Sequence, residues 1–198
     1  VEVPEINPIT VSRITFSVPN FETWFDIYME EQPFREEAQL QTMGIFVDSK
    51  IEDSYHIFLR AQSAASLDNY FDSKSFHNSF SIPANEITAR EIIDVTELEE
   101  KTFDQNYRLL ISHKIKDYPE WKSVFDTDAT VRDSYGLETV GIGRSMVDPS
   151  VVYVMFAFDD EEKVRNYIDG DLRKNLQDAG VIGALQVTQV APIRGITY

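Results

Sequence analysis

The chain says nearly the same thing twice. "NFETWFDIYM" begins at Asn20 and "DYPEWKSVFD" at Asp117, and each opens on a capping residue with a tryptophan four positions later. The offset, 97 residues from Trp24 to Trp121, aligns the halves without a gap from Phe16 to Asn78. Arg35 falls on Arg132 and Leu40 on Leu137, while Thr42, Gly44 and Ile45 fall on Thr139, Gly141 and Ile142. Asn69 and Tyr70 fall on Asn166 and Tyr167, Asp72 on Asp169, and Asn78 on Asn175. A self-match this long inside 198 residues means two copies of one supersecondary plan.

Each copy reads strand, helix, strand, strand, helix, strand. In the second, "LLISHKI" (109–115) is a short alternating apolar run, hence a strand. "DYPE" is a capping box in which Asp117 caps, Glu120 reaches back and Pro119 is tolerated in the first turn. The helix then runs to about Tyr135 and stops at Gly136. "ETVGIGRSM" and "VVYVMFAF" form a hairpin across "VDPS". "DDEEKVRNYIDG" is a short helix, acidic at its start and ended by glycine; "DLRKNLQDAG" adds a turn or two, and "ALQVTQV" is the last strand. The first copy follows, with strands near 10–18, 41–48, 55–62 and 88–95 and helices over 21–38 and 64–72. Trp24 and Trp121 recur on helix faces and serve as core anchors.

A β-α-β-β-α-β unit is the ferredoxin-like plan, an α+β fold whose antiparallel sheet carries helices on one face only. A single unit leaves a half-apolar face bare, and such a patch demands a partner. The second copy meets that demand. The expected architecture is therefore two tandem ferredoxin-like repeats, 10–95 and 109–192, joined by a polar linker at 96–108 and closing an intramolecular barrel. A monomer suffices, because the repeats can pair within the chain.

The formal charge of −16, from 34 acidic and 18 basic residues, disfavours nucleic acid and anionic membrane as partners. No apolar run approaches the ~20 residues of a spanning helix. Without cysteine there is no disulfide, zinc–thiolate site, iron–sulfur cluster or thiol nucleophile. That leaves the compartment open: cytoplasmic is favoured slightly over secreted or periplasmic. "VEVPEINP" reads as a linker because of Pro4 and Pro8.

"ISHKIKDYPEWKSVFD", "DDEEKVRNYI" and "DLRKNLQDAGVIG" together resemble the dimeric α+β barrel superfamily, near the antibiotic biosynthesis monooxygenases. The likeness covers 109–192 well and 10–95 more loosely, since the first copy has Phe16 and Ser17 in place of the "HK" pair. The resemblance implies the fold; the reactions it admits include cofactor-free oxygenation, haem chemistry and none at all.

The histidines are His56, His77 and His113, with no HxH or HExxH spacing, so no metal site is expected. "DTD" and "DGD" lack the rest of a calcium loop, and "VGIGRS" is no phosphate loop. His113 matches the resembled strand motif, although its alternation with Ile111 and Ile115 also fits a ring packed beneath a helix. On the third strand of each copy the more aliphatic side should meet the helices. That turns His56, Phe58, Arg60, Tyr153 and Met155 to the sheet's other face, with Arg13, Thr15, Ser17, Ser112 and Lys114. The candidate set is then His113, His56 and Tyr153 for chemistry, and Arg13, Phe58, Arg60, Lys114 and Met155 for ligand binding. Arg13, Arg60 and Lys114 as buried cations need partners, and Glu91 on the last strand of the first copy is a candidate internal acid if its side of that strand is the inner one. The functional expectation is a small-molecule-binding protein with a ligand between its sheets and no required cofactor. It is monooxygenase-like toward an aromatic or polyketide-like compound. The alternatives are a non-catalytic module whose barrel is filled by side chains, and a haem-binding barrel.

Overall fold

Each half of the chain starts its helices where the sequence writes a cap. In the computed structural model, which describes residues 9–81 and 84–193, Asn20 accepts from the Thr23 amide and Asp117 from the Glu120 amide. These bonds satisfy helix-end donors that would otherwise go unpaired. The N-terminal stretch expected to be a linker lies outside the described residues.

The first half comprises β1 (Ile9–Ser17), α1 (Phe21–Glu30), α2 (Gln32–Glu37), β2 (Leu40–Asp48), β3 (Ser54–Ala61), α3 (Ala64–Phe71), α4 (Lys74–Phe80) and β4 (Glu86–Leu98). The second comprises β5 (Tyr107–Ile115), α5 (Tyr118–Thr127), α6 (Ala129–Ser134), β6 (Glu138–Ser145), β7 (Val151–Phe158), α7 (Glu161–Asp169), α8 (Asp171–Asp178) and β8 (Val181–Pro192). The described chain is thus α+β, two ferredoxin-like repeats in tandem. It divides into a first unit, up to Thr96 together with Ile193, and a second, Glu97–Pro192.

In the first unit the strands lie in the order β4-β1-β3-β2, all antiparallel. In the second the order is β8-β5-β7-β6, again antiparallel. The repeat holds down to register. Ile14 faces Ile57 as Ile111 faces Val154. A bulge separates Thr42 from Gly44 on β2, and another separates Thr139 from Gly141 on β6. Each inserts one residue and resets which side chains face the helices.

The core of the first unit gathers Ile14, Phe16, Ile57 and Leu59 from the sheet against Trp24, Tyr28, Leu67 and Phe80 from the helices. That of the second gathers Leu109, Ile111, Val154 and Phe156 against Trp121, Val164 and Leu172. Trp24 and Trp121 are 1% and 2% exposed, the anchors their spacing implies.

Three local features differ from the sequence reading. The single helices expected over 21–38 and up to Tyr135 are each broken, at Glu31 and at Asp128. Pro33 has no amide to continue α1. At both breaks a buried arginine donates to a carbonyl of the preceding helix: Arg35 to Tyr28 at 2.6 Å and Arg132 to Phe125 at 2.6 Å. Each guanidinium also lies over the ring of that same residue. Secondly, "SKSFHNSF" forms helix α4, capped by Ser73, where no helix was expected. Thirdly, β4 runs on to Leu98.

Candidate functional site

Alternation on β1 and β3 puts Ile14, Phe16, Ile57 and Leu59 on the helix side of the first sheet. Arg13, Thr15, His56 and Phe58 therefore share the other face, as expected. Thr15 pairs with His56 and Arg13 with Phe58 across the ladder. The Arg13 Nη2 lies 3.3 Å and the Thr15 Oγ1 3.0 Å from His56 Nδ1. On the other side of the ring, Nε2 lies 3.3 Å from Asp48 Oδ2. Asp48 is held by the turn it opens, its Oδ1 accepting from the Lys50 and Ile51 amides. Arg13 and Glu91, opposite each other on β1 and β4, form an ion pair at 3.4 Å. Phe58 is buried and meets Phe46 edge-on at 5.6 Å.

The electrostatics fix the protonation state. His56 is 2% exposed, and its pKa is lowered to about 4, first by burial and then by the Arg13 charge. Asp48 opposes this by stabilising the imidazolium, but it does not prevail. The ring is neutral at pH 7. With Nε2–H donating to Asp48, Nδ1 is left as the acceptor for Thr15 and Arg13. Sequence reasoning missed Asp48. Its one signal was position: it stands two residues beyond Phe46, which pairs with His56, so the pleat puts it on the same face.

The second sheet carries no copy of this group. At the matching positions stand Leu110, Ser112, Ser145 and Tyr153 in place of Arg13, Thr15, Asp48 and His56. Ser112 donates to Gln186 instead. Tyr153 and Met155 are half-buried on the face of β7 turned from the helices, and Arg60 is half-buried on β3. Two members of the expected set stand apart from the His56 group. Lys114 lies near the end of β5, is 50% exposed, and reaches Asp148 at 2.8 Å; alternation gave its side of the sheet but not its depth. His113 faces the helices, 4% exposed, with its ring 5.7 Å from that of Trp121. Neither ring nitrogen has a hydrogen-bond partner among the described residues, and burial lowers its pKa to about 4. It belongs to the core of its unit rather than to the His56 group.

The histidines do not suit an axial haem ligand. His56 is engaged at both nitrogens, and His113 borders a cavity of about 30 Å³, room for a water or two but not a porphyrin. His77 is exposed on α4, with its Nδ1 2.7 Å from the Ser73 carbonyl. Among the described residues, no group of three or more histidines and carboxylates stands at metal-binding distance. No helix among them is long and apolar enough to cross a membrane.

No protein-family model matches the sequence. No curated protein matches it either. Solved structures do match along nearly the whole chain. A protein of Lactobacillus acidophilus NCFM carrying a monooxygenase assignment superposes with a TM-score of 0.57 at 10% identity, covering 93% of this chain and 94% of its own. An anthrone oxidase-like protein gives 0.60 at 12% identity, covering 96% and 93%. A mutant chlorite dismutase from Candidatus Nitrospira defluvii gives 0.63 at 9% identity, covering 93% and 92%. The fold is that of the dimeric α+β barrel proteins. At such identities the likeness is one of fold; the chemistry of a dimeric α+β barrel is decided by the side chains on its sheets.

Proposed function

We propose that this chain binds a small aromatic or polyketide-like molecule and acts on it as a cofactor-independent monooxygenase, with His56 as the proton acceptor. The observation that carries this reading is the buried, neutral His56 held between Asp48 and Arg13 on the helix-free face of the first sheet. A neutral imidazole backed by a carboxylate can take a proton at Nδ1 when the substrate displaces the Thr15 hydroxyl there, and Asp48 then stabilises the cation formed. Arg13, 3.3 Å from His56 Nδ1, supplies the positive charge that favours the resulting substrate anion. An anthrone-type substrate, the class named for one structural neighbour, has a carbon acid weak enough to need such help. Its anion reduces dioxygen directly, one oxygen atom staying on the substrate and the other leaving as water.

The test is dioxygen uptake with anthrone, with product identified by absorbance. Wild-type turnover that falls by about 10²-fold or more in His56→Gln supports the reading, since general-base assistance is worth that much. The rival is a non-catalytic module, and it has an observation of its own: Thr15, Arg13 and Asp48 already occupy both ring nitrogens. No uptake by the wild type, together with no heat of binding for anthrone, decides for the rival. Uptake unchanged in His56→Gln removes His56 from the chemistry.

A further inference from the structure

The two units offer a comparison within one molecule. In the second, the Tyr135 side chain extends from the end of α6, packs its ring 5.4 Å from that of Tyr167 and donates its hydroxyl to Asp171 at 2.8 Å. The repeat places Ala38, Tyr70 and Lys74 at the matching positions of the first unit. None of these residues supplies a ring at the Tyr135 position, where the first unit has Ala38. They border a cleft of about 420 Å³, shared with Glu31, Phe34 and Ser75. That volume lies in the range of small-molecule sites.

The equivalence is structural as well as textual. Arg35 and Arg132 make the same carbonyl bond and the same ring contact, each within its own unit. Ala38 and Tyr135 have nearly the same backbone, with φ and ψ of −75° and 3° against −89° and 0°. The first unit thus lacks the side chain and keeps its place. It also keeps unmet polarity there: Ser75, a residue of the cleft wall, is 7% exposed, and its buried Oγ has no hydrogen-bond partner among the described residues. The second unit has the apolar Leu172 at that position. The Tyr70 hydroxyl stays protonated, its pKa raised to about 12, chiefly by burial.

We propose that this cleft is a binding site for a phenol, a single aromatic ring bearing a hydroxyl, that stands where Tyr135 stands in the second unit. The ring packs on Tyr70. The ligand oxygen accepts from Lys74, which replaces the acceptor Asp171, and from the Ser75 hydroxyl. This site lies on the helix side of the first unit, and it does not depend on the role given to His56.

The probe is p-cresol, the tyrosine side chain as a free molecule. It is titrated into the whole chain and followed by amide chemical shifts. The expected result is saturable binding, with the largest shifts in residues 31–38 and 69–78. Ala38→Tyr, which installs the second unit's own side chain, should weaken that binding at least tenfold. Should that variant not fold, Ser75→Leu serves the same comparison, because Leu172 is the residue tolerated there in the other unit. Unsaturable binding overturns the proposal. So do shifts that map elsewhere, or an affinity that neither substitution changes.

Discussion

At the scale of one residue, His113 is the most informative position, because the repeat supplies its control. Phe16 occupies the same place in the first unit, with its ring 4.4 Å from that of Trp24 and edge-on to Phe80. His113 instead buries two nitrogens without partners and borders the small cavity of the second unit. Leaving buried polar atoms unpaired costs about 1–3 kcal/mol. His113→Phe should therefore stabilise the protein at pH 7 by about 1–2 kcal/mol, read as a shift in the urea midpoint. The same substitution has a pH signature. The folded pKa of about 4 lies below the unfolded value of 6.5, so the unfolded chain takes up the proton first as pH falls. This part of the stability is intact above pH 6.5 and is lost as pH falls toward 4. Its size is on the order of 3 kcal/mol. The advantage of His113→Phe should accordingly grow between pH 7 and pH 4. An advantage independent of pH would mean that His113 is not the group titrating. His56 shifts in the same direction and remains in the variant, so the acid limb becomes shallower without vanishing.

Among the elements, the ends of α2 and α6 show where sequence was a good guide and where it failed. Gly136 was read as a stop, and it adopts a φ of 73° after α6. Its counterpart after α2 is Gln39, at a φ of 58°. A side chain in that region costs about 1–2 kcal/mol, partly offset by the greater freedom glycine has when unfolded. Gln39→Gly should stabilise the first unit by about 0.5–1 kcal/mol, with no change in the denaturant slope; a loss of stability would mean that the Gln39 side chain makes a compensating contact. Legibility followed the same division. The strands, the caps at Asn20 and Asp117 and the facing of His56 were legible because they depend on neighbours in sequence. The helix breaks were not, because they are completed by Arg35 and Arg132 reaching back over seven residues to main-chain carbonyls. Helix α4 was missed despite Phe76 and Phe80 at helical spacing, since its sequence departs from the other copy. Asp48 escaped although the pleat of β2 puts it on the His56 face, because it is the last residue of its strand and opens the turn that follows.

For the whole molecule the dominant long-range term is charge. With 34 acidic and 18 basic residues, carboxylates outnumber cations by 16. The surface pairs that do form, among them Lys101–Glu138, Lys114–Asp148 and Lys122–Glu97, are worth little individually and are weakened by salt. Self-repulsion is screened too, and with −16 charges it is the larger effect. Raising NaCl from about 20 to about 300 mM at pH 7 should raise Tm; a fall would show that the pairs outweigh the repulsion. The doubled β-bulge has a consequence of another kind, one of chronology. A copied segment inherits whatever was already in it. The extra residue between Thr42 and Gly44 recurs between Thr139 and Gly141, and the buried arginine beneath the helix break recurs with it. Those traits are older than the doubling of the chain. The Asp48–His56–Arg13 group, the tyrosine that fills one cleft and the histidine that replaces a phenylalanine each occur in a single copy. Those differences between the halves arose after it, through change in one copy or the other.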